Sequence, residues 1–280
     1  MISIDNLSFY YKKEKPILTE INASLKAGHV YGLFGLNGCG KTTLLKLICA
    51  SLYPKTGSIQ AGEHRVADRK LDFLADLYLV TDEVDLPNWK IADILSVYSP
   101  LYPKFDQQYF AAILDKFQVD IKEHIRSLSY GQRKKVNIAF ALASNVSLLL
   151  MDEPTNGLDI PAKTQFRKLL VSHIAADRTI IISTHQTRDV QQLIDHLLIL
   201  KENRLVLDAS LQSLSQQFEF KNGKLEAPLY AEHAYNGTQN IVLNKTGEDT
   251  AFDLELFFNA IHANPTILSY VDRQNQPQHV

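Results

Sequence analysis

Gly35-Leu36-Asn37-Gly38-Cys39-Gly40-Lys41-Thr42 lies between the apolar run His29 to Phe34 and the helically spaced Thr42-Thr43-Leu44-Leu45-Lys46-Leu47-Ile48. A glycine-rich segment in that position lets backbone N–H groups curl around an anion without side chains intervening. The start of the following helix adds the positive end of its dipole. Strand, loop and helix together form a phosphate loop, with Lys41 placed to reach the β- and γ-phosphates of a nucleotide and the Thr42 hydroxyl to ligate Mg²⁺. The expected nucleotide contacts are Gly35, Leu36, Asn37, Gly38, Cys39, Gly40, Lys41, Thr42 and Thr43.

Toward the N-terminus, Ile2, Ile4 and Leu7, then Ile17 to Leu25, then His29 to Phe34 read as short strands, with Lys26-Ala27-Gly28 as a turn. Toward the C-terminus, Ile91 to Tyr98, Gln107 to Phe117 and Gln132 to Ala143 read as helices separated by proline or polar breaks. They make a helical insertion over about 85–145. Ser147 to Met151 and Thr179 to Ser183 follow as leucine-rich and β-branched runs, with the amphipathic stretch Ala162 to Ala175 between them. Buried parallel strands joined by a crossover helix explain that order. A hairpin is expected at Leu197 to Leu207 and an amphipathic helix near Asp253 to Ala263. The polar tail from Asp272 to Val280 is expected to be disordered.

Leu148-Leu149-Leu150-Met151-Asp152-Glu153 is an apolar strand ending in adjacent carboxylates. Asp152 falls at the strand's C-terminal edge, where ligands sit in open α/β sheets, and is expected to hold Mg²⁺. Neighbouring strand residues point to opposite sides, so Glu153 has a separate task, that of polarising an attacking water.

Composition narrows the remaining possibilities. The 280 residues are 45% hydrophobic, enough for one substantial core and a small further unit. A formal charge of −2 provides no net positive field for nucleic acid, and no direct nucleic-acid partner is expected. Cys39 and Cys49 belong to no CxxC or Cys/His cluster, which argues against zinc and a disulfide framework and suits a reducing compartment. Cys39 lies near Lys41 and a helix N-terminus, which could acidify its thiol, but the favoured reading is a small residue tolerated by the loop with no redox role. Met1-Ile2-Ser3-Ile4-Asp5 meets a charge at once and does not resemble a leader. The longest apolar stretch, Ile138 to Met151, is interrupted by Ser144, Asn145 and Ser147 and falls short of the roughly 20 residues of a spanning helix.

With these motifs in order, the chain resembles the nucleotide-binding subunits of ATP-binding cassette transporters over about residues 1–210. Leu128-Ser129-Tyr130-Gly131-Gln132 resembles the family signature, with Ser129, Gly131 and Gln132 in place and Tyr130 where Gly is commoner. Asn156-Gly157-Leu158-Asp159 resembles the loop that communicates between two sites, and Ser183-Thr184-His185 the switch whose histidine contacts γ-phosphate and water. Tyr11 matches the adenine-stacking aromatic, with Tyr10 as the competing candidate. The family's Gln at the entrance to the helical insertion is absent from Leu79-Val80-Thr81-Asp82-Glu83; Asp82 takes its place as a candidate metal ligand, with Glu83 or neither acid as the alternative.

The resemblance implies an α/β phosphate-loop NTPase fold: a RecA-like parallel sheet, an N-terminal antiparallel β subdomain, a helical insertion, and an α+β C-terminal extension over 211–280. It implies ATP and Mg²⁺ as cofactors, and Glu153, His185 and Lys41 as catalytic residues. The partners implied are a second cassette, identical or related, and separate transmembrane permease subunits. The implied location is cytoplasmic and peripheral on the inner face of the membrane, with export the expected direction. Two alternatives stay open, a cassette ATPase acting on ribosomes or nucleic acid, and a non-catalytic nucleotide-gated module.

Overall fold

The computed structural model describes residues 1–83, 86–234 and 237–271. The tail expected from Asp272 onward lies outside the described residues, as does Asp85 at the expected start of the helical insertion.

Alternating polarity at the N-terminus becomes two long strands, β1 (Ile2–Lys12) and β2 (Lys15–Leu25). Ile2, Ile4, Leu7 and Phe9 are all buried although their spacing changes phase. The register shifts between Ile4 and Leu7, around Asn6 at φ 45°, so an irregularity returns the later residues to the inward face. The phosphate-loop unit follows as β3 (Val30–Phe34) and α1 (Lys41–Ile48), then β4 (Thr56–Ala61) and β5 (His64–Arg65). The first sheet is antiparallel, in the order β2-β1-β4-β5.

Next come α2 (Leu71–Ala75), β6 (Leu77–Val80), and the helical insertion α3 (Ile91–Tyr98), α4 (Gln107–Lys116) and α5 (Tyr130–Ala143). Asp106 caps α4 by accepting from the Tyr109 N–H, and Ser129 caps α5 in a reciprocal box with Gln132. β7 (Leu148–Asp152), α6 (Ile160–Val171), β8 (Thr179–Ser183), α7 (Thr187–Val190), β9 (His196–Lys201) and β10 (Arg204–Ser210) complete the central sheet. Its order is β10-β9-β3-β8-β7-β6, parallel throughout except for β10 against β9.

Both faces of this sheet are covered, and the middles of its parallel strands are therefore apolar runs, with polar residues at their ends. Val30, Phe34, Leu149, Met151, Ile180 and Ile182 pack with α5 and α6 on one side. Tyr31, Leu33, Leu148, Leu150 and Ile181 pack with α1 and the antiparallel sheet on the other. The C-terminal edges of β3, β7 and β8 consequently open together on one crevice, as expected of an open α/β sheet.

The C-terminal extension consists of α8 (Leu211–Gln217), β11 (Phe218–Asn222), β12 (Tyr230–Ala234), β13 (Gly237–Leu243) and α9 (Leu254–Ala263). Its strands form a separate antiparallel sheet in the order β11-β13-β12. Phe218, Ile241, Phe257 and Ile261 join the same buried cluster as Phe34 and Leu197, so the extension shares the main core. It also grips α7: Arg188 Nε donates to Glu255 at 2.7 Å and Gln191 Nε2 to the Phe252 carbonyl at 2.7 Å. No helix among the described residues is long and apolar enough to cross a membrane.

On β10, burial pushes the Asp208 carboxyl up to about 6, against the opposing pull of His196 and the Ser24 N–H. A folded-state value above the unfolded one favours the protonated form. Its contribution is complete below the unfolded value of about 3.9 and is lost as pH rises through about 6. Asp208→Asn should therefore raise the melting temperature by a few degrees at pH 8 and hardly change it at pH 4, as followed by calorimetry.

Candidate functional site

β3 ends at Phe34, and the chain turns through residues 35–40 before α1 begins. A side chain at Gly40, where φ is 106°, would bring Cβ to 2.8 Å from Leu18 Cδ2 and 3.0 Å from the Ile17 carbonyl. Gly38, at φ 80°, faces open space with nothing within 4 Å of where its Cβ would lie. The first glycine lets the loop press against β2, and the second leaves its backbone bare toward the crevice. Lys41 is only 7% exposed; its Nζ donates to the Gly35 carbonyl at 2.8 Å and the Leu36 carbonyl at 3.4 Å. The ammonium is thus held inside its own loop, ready to exchange neutral acceptors for anionic ones.

A cavity of about 460 Å³ lies over this loop. Asn37, Gly38, Gly40, Lys41, Thr42 and Thr43 line one side; Asp82, Asp152, Glu153, Asn156 and His185 line another, and Ile17 of β2 closes it. Asp152, the last residue of β7, is 4% exposed and accepts from Thr42 Oγ1 at 2.6 Å and from Ser183 Oγ. A buried carboxylate beside a hydroxyl is an oxygen-only donor set that suits a hard divalent cation such as Mg²⁺.

Glu153 leaves the strand with φ 46°, in a left-handed conformation that costs a non-glycine residue about 1–2 kcal/mol. There its carboxylate accepts from Thr184 Oγ1 at 2.9 Å and the His185 N–H at 3.1 Å, and it lies 2.8 Å from His185 Nδ1. An ionised carboxylate only accepts, so this contact assigns the His185 proton to Nδ1. The adjacent acids at the end of β7 have acquired different partners: Asp152 faces the Thr42 hydroxyl, Glu153 the His185 ring.

Asp82 reaches the same cavity, but protein groups already engage it. Its Oδ1 accepts from Tyr130 Oη at 3.1 Å and Asn156 Nδ2 at 3.2 Å, and lies 3.5 Å from Lys134 Nζ. Of its two oxygens, Oδ2 is the one left to meet a cation. Ser129, Gly131 and Gln132 sit at the N-terminal end of α5, off the wall of the chain's own cavity. Tyr11 is also off that wall: it is 62% exposed and stands edge-on to Phe9, with ring centroids 4.9 Å apart. Gly35, Leu36 and Cys39 belong to the loop without lining the cavity.

Of the two readings of Cys39, its surroundings disfavour the acidified thiol. Burial pushes the thiol above its ordinary value, outweighing Lys41 and the loop N–H groups that pull it down. Sequence reading also missed Lys134, which is fully buried and donates to the Thr81 and Asp82 carbonyls at 3.0 Å each. Its signal was available in the helical spacing, since Tyr130 and Lys134 are four residues apart on one face of α5.

Comparison with known proteins gives a consistent result. Residues 18–156 match the family model described as ABC transporter. The ABC transporter ATP-binding protein YtrB of Bacillus subtilis (strain 168) is 25% identical over 203 residues, covering 72% of this chain and 70% of that protein. Nod factor export ATP-binding protein I of Burkholderia orbicola (strain AU 1054) is 29% identical over 208 residues, covering 72% of this chain and 68% of that protein. A solved dimeric ATP-binding cassette in a post-hydrolysis state, bound to ADP and Pi, superposes with a TM-score of 0.67 at 21% identity, covering 75% of this chain and 98% of that one.

Proposed function

Given that the chain belongs to the ABC transporter family through its ATP-binding domain, we propose that it binds MgATP in this cavity and hydrolyses it to ADP and phosphate. In this reading it works as one half of a two-cassette assembly that powers export through separate membrane-spanning subunits, from the cytoplasmic face of the membrane.

The observation that carries the reading is the convergence of Lys41, the Thr42–Asp152 pair and the Glu153–His185 pair on one cavity. Lys41 and the bare loop backbone neutralise the phosphates, and Thr42 and Asp152 would hold Mg²⁺, with Asp82 lining the same cavity. Bound Mg²⁺ withdraws charge from the phosphate oxygens. Glu153 orients or deprotonates the attacking water, and His185 steadies the charge that develops on the transferred group. Tyr11, exposed on β1, is available to stack on adenine.

Two features support the assembly. Ser129, Gly131 and Gln132 stand at a helix start that does not line the chain's own cavity, and a hydroxyl with helix N–H groups suits the γ-phosphate held by a second cassette. Between β6 and the helical insertion, an apolar hollow of about 310 Å³ is walled by Leu79, Leu86, Pro87, Ile94, Tyr98 and Tyr102. It suits an apolar segment of a membrane-spanning subunit. Affinity purification of the Glu153→Gln protein with MgATP from detergent-solubilised native cells should recover a polytopic membrane protein in near-equal amount. Leu86→Glu should remove that protein while ATP binding persists. Recovery of ribosomes or nucleic-acid proteins instead would replace the transport reading with that of a soluble machine.

A further inference from the structure

We propose that Tyr130 and Lys134 are positioning residues which, through Asp82, lock the start of α5 onto the phosphate end of the chain's own cavity. The Tyr130 hydroxyl donates to the Asp82 carbonyl at 2.8 Å and to its Oδ1 at 3.1 Å. The ring fits against Gly157, where φ is 74° and an added Cβ would come within 2.3 Å of Tyr130 Cε1. At the next position, a Cβ on Gly131 would come within 2.6 Å of the Gly157 carbonyl. One side chain therefore joins three segments: the start of α5, the loop after β6, and the loop after β7.

Lys134 secures the same point from below. It is fully buried, and its ammonium binds two backbone carbonyls and faces the Asp82 carboxylate at 3.5 Å. Burial lowers its pKa, while Asp82, Asp152 and Glu153 work in the opposite direction. A buried cation with satisfied hydrogen bonds fixes the place of its anionic partner, since separating them would strand the charge. Asp82 would otherwise be an exposed loop acid, free to move.

The lock continues beyond Asp82. Asn156, which donates to Asp82, accepts at Oδ1 from Gln186 Nε2 at 2.9 Å. Gln186 Oε1 in turn accepts from Lys163 Nζ at 2.8 Å, and that ammonium pairs with Asp189 at 2.6 Å. A continuous polar chain thus runs from the start of α5 to the segment just after His185. The position of Ser129 and Gly131 is thereby tied to the loops that surround the phosphates. The inference rests on reading the cavity as the MgATP site for its effect on turnover, although the lock itself is a property of the nucleotide-free protein.

Tyr130→Phe removes only the hydroxyl. Hydrogen–deuterium exchange of nucleotide-free protein should rise about tenfold at residues 80–83 and 155–158, with β1 and β2 unchanged. Lys134→Met should give the same pattern. In steady-state hydrolysis, Tyr130→Phe should lower kcat about tenfold with KM for ATP within about twofold, and its effect should shrink in an Asp82→Ala background, where only the main-chain acceptor remains. Unchanged exchange at those loops, or effects of Tyr130→Phe and Asp82→Ala that multiply in full, would overturn the proposal. If the wild-type protein does not hydrolyse ATP, the exchange measurement still decides the lock, so failure of the functional reading is distinguishable.

Discussion

Glu153→Gln is expected to slow ATP turnover by about 10²–10⁴-fold while leaving ATP binding intact, the range associated with loss of a positioned general base. The amide keeps the length and shape of the side chain, so the left-handed backbone at residue 153 and the neighbouring packing are not disturbed. Its oxygen can still accept from the Thr184 hydroxyl or the His185 N–H. What it loses is the charge that attracts a proton from water. The same change weakens the contact to His185 Nδ1, which lies 2.8 Å from the carboxylate and loses its anionic acceptor. Binding of a fluorescent ATP analogue and single-turnover hydrolysis, measured on the same preparation, separate the two effects. An unaltered single-turnover rate would remove Glu153 from the role of base.

Lys41→Ala acts at an earlier step and should weaken ATP binding by about 100-fold or more, the effect of removing a charge-assisted contact to phosphate. The fold should survive, because Nζ in the free protein binds only the Gly35 and Leu36 carbonyls, which belong to the loop beside the open cavity. Isothermal titration with ATP in the presence of Mg²⁺ is the direct measurement, and thermal melting without nucleotide is its control. Wild-type affinity in the variant would mean that the loop does not cradle the phosphates.

The two predictions draw on parts of the site that local sequence already defines. The phosphate loop is legible because glycine, lysine and threonine at fixed spacing are demanded by backbone geometry within eight consecutive residues. Asp152 and Glu153 are legible because an apolar strand in a parallel sheet has a known end at which ligands gather. The central sheet follows for the same reason, its parallel strands being apolar runs joined by amphipathic helices.

Other features depend on contacts between distant segments, and no local pattern announces them. Asp82 could be placed near the phosphates from the order of motifs, yet its partners Tyr130, Lys134 and Asn156 lie 48, 52 and 74 residues away. Cys39 illustrates a competition that proximity alone misjudges, because Lys41 lowers its pKa while burial raises it further. Leu254, Phe257, Phe258 and Ile261 announced a helix face without its destination. The fold supplies it: Leu254, Phe257 and Ile261 enter the main core, and Phe258 approaches Phe34, with centroids 6.3 Å apart.

That destination bears on the order in which the molecule is made. The phosphate loop, both carboxylates and His185 are all synthesised before β9. The grip on α7, two residues beyond His185, depends on Phe252 and Glu255. A nascent chain therefore carries every group of its phosphate cavity some seventy residues before the segment bearing its switch is held from behind, counting from His185 to Glu255. The support behind the switch is thus spelled out long after the chemistry itself.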